Sequence, residues 1–220
     1  MKFFLDTANL DELRRGAAWG IVDGVTTNPS LIAKEAKPLE EHIREICGIV
    51  YGDISAEVVS TTSPEMIVEG RRLAKIHQNV VVKCPLTRDG IVATKTLSSE
   101  GIRVNVTLCF SANQALIAAK AGAYIISPFV GRIDDTGWNG MDLVRDILQI
   151  YRNYGYNTQV LAASLRSPTH VSQAALAGAH IATMPFKVLD LLFNHPLTDK
   201  GLAQFQKDWN KAFQPAPAGG

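Results

Sequence analysis

From residue 2 to residue 212, short runs rich in β-branched side chains alternate with amphipathic stretches of helix length, an order that few architectures accept. The runs predict strands at 2–6, 21–26, 54–59, 80–84, 103–108, 123–127, 159–163 and 180–184. Between them the pattern predicts helices at 9–18, 38–50, 88–99, 111–121, 141–154, 168–177 and 186–193, with others starting at Asn28-Pro29 and Ser63 and a last one over 199–212. Capping pairs mark several starts: Asn9 with Glu12, Ser111 with Gln114, and the Pro-led Ser63-Pro64 and Ser167-Pro168. Gly131–Gly140, rich in Asp and Gly, reads as a longer loop. Strict βα alternation implies a parallel sheet, and eight units of about 27 residues match a small single-domain (β/α)8 TIM barrel with an extra C-terminal helix. Barrel and helix span 1–213; residues 214–220, ending Pro-Ala-Pro-Ala-Gly-Gly, read as a disordered tail. The rival, a doubly wound open sheet, lacks its phosphate loop, since neither GxGxxG nor GxxxxGK[ST] occurs.

Charge narrows the partners. With 22 basic against 21 acidic side chains the net charge is +1, too little surplus for a nucleic-acid or polybasic membrane-surface role. Two or three placed cations are still enough for a small anion. The three cysteines, Cys47, Cys84 and Cys109, form no CxxC pair and their odd number cannot all pair, which predicts a reducing compartment. Met1-Lys2-Phe3-Phe4-Leu5 runs at once into Asp6, short of a signal peptide, and no apolar run reaches the roughly 18 residues of a membrane span. The expectation is a cytoplasmic protein with neither membrane nor nucleic-acid partners.

The site is sought through an exclusion. In a barrel wrapped by helices the outward strand positions are apolar, so the alternate polar ones point inward. This turns Asp6, Glu57, Lys83, Asn105, Thr107 and Ser127 into the barrel, near the C-terminal mouth where such folds keep their chemistry. Phe3, Leu5, Ile54, Ala56, Val58, Val80, Val82, Val104, Val106, Leu108, Tyr124 and Ile126 are predicted to face the helices. So many polar groups in one interior are costly as packing alone. Lys83, between Val80-Val81-Val82 and Cys84-Pro85, cannot easily snorkel, and desolvation favours the neutral amine that a Schiff base needs. A structural pairing with Glu57 or Asp6 is the plainer alternative, and both can hold. Because Asn9 and Glu12 already supply the helix cap, Asp6 is free for acid/base work. Asn28 before Pro29 fits a cap and a site about equally. Glu57, Asn105 and Thr107 also fit a polar network without chemistry.

Two arginines, Arg132 and Arg166, follow later strands, the second beside Ser164 and just before a helix start, a set suited to phosphate. For either arginine alone, a surface ion pair is the simpler account. Histidines 42, 77, 170, 180 and 195 show no metal spacing, so no metal is predicted. Cys84 and Cys109 fall on outward positions as packing thiols. Phe205, Trp209 and Phe213 form a helix-packing stripe, one candidate partner being a neighbouring subunit.

The segments FLDTAN, DGVTTNPSLI, SAEVVST, VVKCPLT, NVTLCFS, ISPFVGRIDD, ASLRSP and ATMPF occur in this order. Together they make residues 1–213 resemble the transaldolase family, in the short single-barrel group that includes fructose-6-phosphate aldolases. The resemblance implies a Schiff-base lysine at Lys83 and an acid/base aspartate at Asp6. It implies that Glu57 and Thr107 hold a catalytic water, and that Thr26, Asn28, Asn105, Ser127 and Phe129 line the place of the dihydroxyacetone part. It makes Arg132, Ser164 and Arg166 a phosphate cradle, and decides Asn28 for the site. It also implies sugar-phosphate substrates, no metal or cofactor, and a homo-oligomer, either a pentameric ring or a decamer of two rings paired through the C-terminal helix.

Within the family, the aldolase branch usually has Gln where this chain has Glu57, and Tyr where it has Phe129. Glu can relay protons to the imine and Gln cannot; a Tyr hydroxyl could protonate the enamine and free dihydroxyacetone, a route Phe129 lacks. The resemblance therefore implies a transaldolase of the pentose phosphate pathway. The alternatives are a fructose-6-phosphate aldolase and a non-catalytic sugar-phosphate-binding barrel. Cys84, often Ile or Val in relatives, is apolar enough to change little.

Overall fold

A computed structural model of the chain describes residues 1–213. Its eight strands are β1 (Lys2–Asp6), β2 (Gly24–Thr26), β3 (Asp53–Glu57), β4 (Val80–Pro85), β5 (Val104–Cys109), β6 (Ile125–Pro128), β7 (Gln159–Ala162) and β8 (Ile181–Met184). All pair in parallel, in chain order, and β8 closes on β1. The helices are α1 (Leu10–Ala18), α2 (Pro29–Ile32), α3 (Leu39–Ile49), α4 (Ser63–Ala74), α5 (Arg88–Ser99), α6 (Ala112–Ala121), α7 (Val130–Asp134), α8 (Gly140–Tyr154), α9 (Pro168–Ala177), α10 (Phe186–Leu191) and α11 (Pro196–Phe213). This is a (β/α)8 TIM barrel with an additional C-terminal helix. The tail predicted for 214–220 lies outside the described residues.

Two apolar layers hold the barrel. Outward positions such as Leu5, Ile54, Val82, Val106 and Ile126 pack against the helices in one continuous core. Inside, Phe4, Ile125, Leu161, Ala163 and Ile181 form a second, smaller cluster. Phe4 fits because β2 opens with glycine: a Cβ on Gly24 would lie 2.5 Å from two Phe4 ring carbons and 2.6 Å from the Asp53 carbonyl oxygen. At this depth a methyl group costs about 1–3 kcal/mol of overpacking.

Several predictions are corrected. The strand expected at 21–26 is only Gly24–Thr26, because Asp23 turns its carboxylate back to accept from the Phe3 amide. The loop expected at Gly131–Gly140 begins inside α7, a five-residue helix too short to show any apolar period. Tyr124, expected to face the helices, packs against the interior cluster, where its hydroxyl donates to Asp53 Oδ2 at 3.1 Å. Arg103 closes that end of the barrel by pairing with Asp53 over the Tyr124 ring. The last helix starts at Pro196, three residues before its predicted start, and buries none of its residues.

Candidate active site

The register of β3 and β4 places Glu57 opposite Lys83, so the period-two alternation turns both side chains inward together. Lys83 is 5% exposed, and its Nζ lies 2.9 Å from Glu57 Oε2 while donating to the Thr27 carbonyl at 2.9 Å. The structural pairing weighed for Lys83 is therefore present, with Glu57 as the partner. A buried pair of this kind is costly to form and costlier to break, since removing one partner strands a charge at about 3–5 kcal/mol. A site that must shuttle a proton between two groups accepts that cost; a packing core has no need of it.

Asp6 ends β1 and faces the same interior. Its Oδ1 accepts from Thr26 Oγ1 at 2.8 Å, and that hydroxyl is 2.6 Å from Thr183 Oγ1 on β8. Burial raises the Asp6 carboxyl above the usual carboxylate range, against the opposing pull of Lys83, Thr26 and Arg132. A carboxyl raised in this way takes up a proton more readily than a free carboxylate, which suits acid/base work. The helix cap is indeed supplied elsewhere: Asn9 accepts from the Asp11 and Glu12 amides, and Glu12 accepts from the Thr7 hydroxyl.

On the next strands, Ser127 Oγ donates to Asn105 Oδ1 at 2.7 Å, and Asn105 Nδ2 donates to Ser55 Oγ at 3.0 Å. Asn105 is thus fully buried as a link between two serines. Beside it Thr107 is buried with no hydrogen-bond partner for its hydroxyl among the described residues, an exception that a polar interior rarely tolerates without a function. Asn28 accepts from the Leu31 amide, so it is a helix cap, and it lines the cavity as well. The cap does not take Asn28 out of the cavity.

The cavity at the C-terminal mouth is small, about 110 Å³. Asp6, Thr26, Asn28, Lys83 and Ser127 line it below, and Phe129, Arg132 and Ser164 line its rim. Arg132 holds its guanidinium 4.9 Å from the Phe129 ring, a cation–π contact that braces it at the opening. Ser164 has φ of +59°, a left-handed conformation that a non-glycine residue adopts at a cost of roughly 1–2 kcal/mol and that favours a functional role. Its carbonyl accepts from the Gly131 amide, and Gly131 has no room for a side chain because its Cβ would run into that same Ser164 backbone oxygen.

Not every predicted residue reaches that cavity. Glu57 lines an adjoining one together with Thr27 and Asn28, and Asn28 is shared by both. Asn105 and Thr107 lie behind the lining. Arg166 turns to solvent and grips Asp135 through both guanidinium NH groups. Thr183, Thr27 and Ser55 belong to the site but escaped the sequence reading. Thr183 was legible, because alternation along Ile181-Ala182-Thr183-Met184 turns it inward; Ser55 would have followed from the same count on β3. Thr27 acts through its carbonyl, which no side-chain pattern reveals.

Cys84 and Cys109 are buried outward thiols, pushed up to about 12 by burial, and take no part in the cavity. His42 is a buried strut whose Nε2 meets the Ala8 carbonyl at 2.6 Å. No helix among the described residues is long and apolar enough to cross a membrane.

Comparison with known proteins agrees with this geometry. The family model described as transaldolase/fructose-6-phosphate aldolase matches residues 3–216. A probable transaldolase of Myxococcus xanthus is 62% identical over 212 residues, 96% of this chain and 95% of that protein. One from Desulfotalea psychrophila is 59% identical over 214 residues, 97% of this chain and 100% of the relative. One from Methanococcus maripaludis is 58% identical over 209 residues, covering 95% and 97%. With a buried lysine, its carboxylate partner and an aspartate at one barrel mouth, and with this extent of likeness, the chain belongs to the transaldolase/fructose-6-phosphate aldolase family.

Proposed function

We propose that this protein is a transaldolase, which moves a dihydroxyacetone unit between sugar phosphates through an imine on Lys83. The observation that carries the proposal is Lys83, buried in the wall of the cavity that Asp6 also faces and paired from behind with Glu57. Glu57 takes a proton from Lys83, and the neutral amine attacks the C2 carbonyl of fructose 6-phosphate or sedoheptulose 7-phosphate. The adduct loses water, which Thr107 and Glu57 hold, and a protonated imine forms. Asp6 then takes the C4 hydroxyl proton, the C3–C4 electron pair moves into the imine, and the aldose phosphate departs. Lys83 keeps a three-carbon enamine. That enamine adds to the aldehyde of a second aldose phosphate, Asp6 returns its proton to the new C4 oxygen, and hydrolysis frees the new ketose phosphate.

The half-buried amide of Asn28 and the buried hydroxyl of Ser127, with Asn105 behind it, suit a three-carbon polyol, and Arg132, Ser164 and Arg166 suit a phosphate at the rim. Glu57 and Phe129 favour transfer over release of free dihydroxyacetone, since neither offers the phenol that would protonate the enamine. The decisive assay supplies fructose 6-phosphate with and without erythrose 4-phosphate. Glyceraldehyde 3-phosphate should form beyond one equivalent per site only with the acceptor; equal continued formation without it would make the protein an aldolase. Borohydride with the ketose phosphate should leave a covalent adduct on Lys83, and its absence would remove the imine route.

A homo-oligomer, a pentamer or decamer, also fits this reading. Leu202, Phe205, Trp209 and Phe213 leave one stripe of α11 exposed, with Phe205 at 72%. A second copy would cover that apolar stripe. A cytoplasmic setting suits three cysteines that are all free thiols. Light scattering of the wild type and of Trp209→Glu would check the assembly, which the charge should weaken.

A further inference from the structure

Thr183 takes no part in the scheme above, yet it stands in the cavity wall at 2% exposure, two hydrogen bonds from Asp6 by way of Thr26. A hydroxyl has a single proton to give. An ionised carboxylate only accepts, so Thr26 must spend its proton on Asp6 Oδ1, at 2.8 Å. The 2.6 Å contact between Thr26 and Thr183 can then be a hydrogen bond only if Thr183 donates. The order along three strands is fixed: Thr183 to Thr26 to Asp6 Oδ1. Among the described residues no hydrogen bond is directed at Asp6 Oδ2, and that oxygen is left to the cavity.

We infer that Thr183 is a positioning residue for the acid/base step: by fixing the Thr26 proton on Asp6 Oδ1, it reserves Oδ2 as the oxygen that takes the C4 hydroxyl proton and returns it. The inference rests on the proposed role of Asp6. Register makes it specific. Thr183 is the Cα partner of Phe4 on β1, so it stands beside the strand that holds Asp6 and reaches across to β2. Nothing else in this arrangement requires a hydroxyl there, since its neighbours Leu161 and Ala163 in the cavity lining are apolar. Because hydrogen bonds in a chain strengthen one another, losing the first donor weakens the bond that Thr26 gives to Asp6.

The test replaces the hydroxyl by a methyl group of nearly the same shape, Thr183→Val, alongside Thr183→Ser and Thr183→Ala. Transfer from fructose 6-phosphate to erythrose 4-phosphate is followed across pH. For Thr183→Val, kcat should fall about tenfold with KM within about twofold, as loss of orientation and not of binding demands. The acid limb of kcat/KM should move to higher pH, because an Asp6 less well held in its ionised form protonates sooner. Thr183→Ser should stay within about threefold of wild type and keep the wild-type limb. A purely structural threonine would instead lower the rate evenly at every pH. If Thr183→Val does not fold, the comparison of Ser with Ala carries the same contrast. A wild-type protein that forms no borohydride adduct would overturn the proposed reaction itself. A wild type that reacts, beside Val or Ala variants with an unmoved acid limb, would overturn only the role of Thr183.

Discussion

Glu57 and Lys83 are register partners on adjacent strands, and their charged ends meet at 2.9 Å with almost no access to water. The pair accounts for how a buried lysine is tolerated and also for how it would lose its proton. Glu57→Gln keeps the shape and one hydrogen bond but cannot take a proton. It should lower the transfer rate about 100-fold, in the range of a lost general base, while slow trapping of the Lys83 adduct by borohydride persists. Single-turnover kinetics with borohydride quench would show both effects. A Glu57→Gln variant with the wild-type rate would remove the proton relay from the mechanism.

Asp6 gives a pH prediction whose sign follows from its environment. Burial raises its carboxyl in the folded state, so the folded protein binds that proton more tightly than the unfolded chain. Stability from this group is complete below the ordinary carboxylate range and is lost as pH rises through the raised value. Asp6→Asn removes the burden. Its melting temperature should exceed that of the wild type at pH 7, with the gap closing toward pH 3.5, while transfer falls about 100-fold or more. Calorimetry at the two pH values checks the first part. A gap that widens on acidification would contradict the burial argument.

Most of the fold could be read from alternation because both strand faces carried a signal: apolar residues on the helix side and a polar series inside. Tyr124 shows the limit of that count. Its parity places it outward, yet at the strand's start no pleat holds it, and the Asp53–Arg103 pair offers a better partner for its hydroxyl. The site was legible where side chains carry it, as at Lys83, Glu57 and Asp6. It was not legible where the backbone does, as at the Thr27 carbonyl; Ser164 and Arg166 could be singled out, but not the left-handed backbone of the one or Asp135 as the partner of the other. Those are relations between distant segments, and no local pattern encodes them.

Phe129 bears on the choice between transfer and release. It stands at the cavity rim against Arg132 and offers the enamine no proton. Phe129→Tyr adds one hydroxyl there at little steric cost. Release of dihydroxyacetone from fructose 6-phosphate without acceptor should rise about tenfold, within the usual worth of a positioned acid. An acceptor-free assay coupled to dihydroxyacetone reduction would measure it. No rise would mean that something other than the residue at 129 guards the enamine.

Arg166 offers the last prediction, because its present partner resembles its expected one. Asp135 receives both guanidinium NH groups in the two-pronged manner in which a phosphate would be held, and the pair lies in solvent. An exposed pair is weak and exchangeable, so a sugar phosphate can replace the carboxylate. Asp135→Asn should then lower KM for fructose 6-phosphate about twofold to fivefold at low salt, and the advantage should shrink as ionic strength screens the charges. Arg166→Ala should raise the same KM about tenfold or more and Arg132→Ala at least as much, with smaller changes in kcat. Neither arginine variant should affect an unphosphorylated acceptor such as free glyceraldehyde to the same degree. Equal losses for phosphorylated and unphosphorylated acceptors would deny Arg166 a part in the phosphate cradle and leave it as the counter-ion of Asp135.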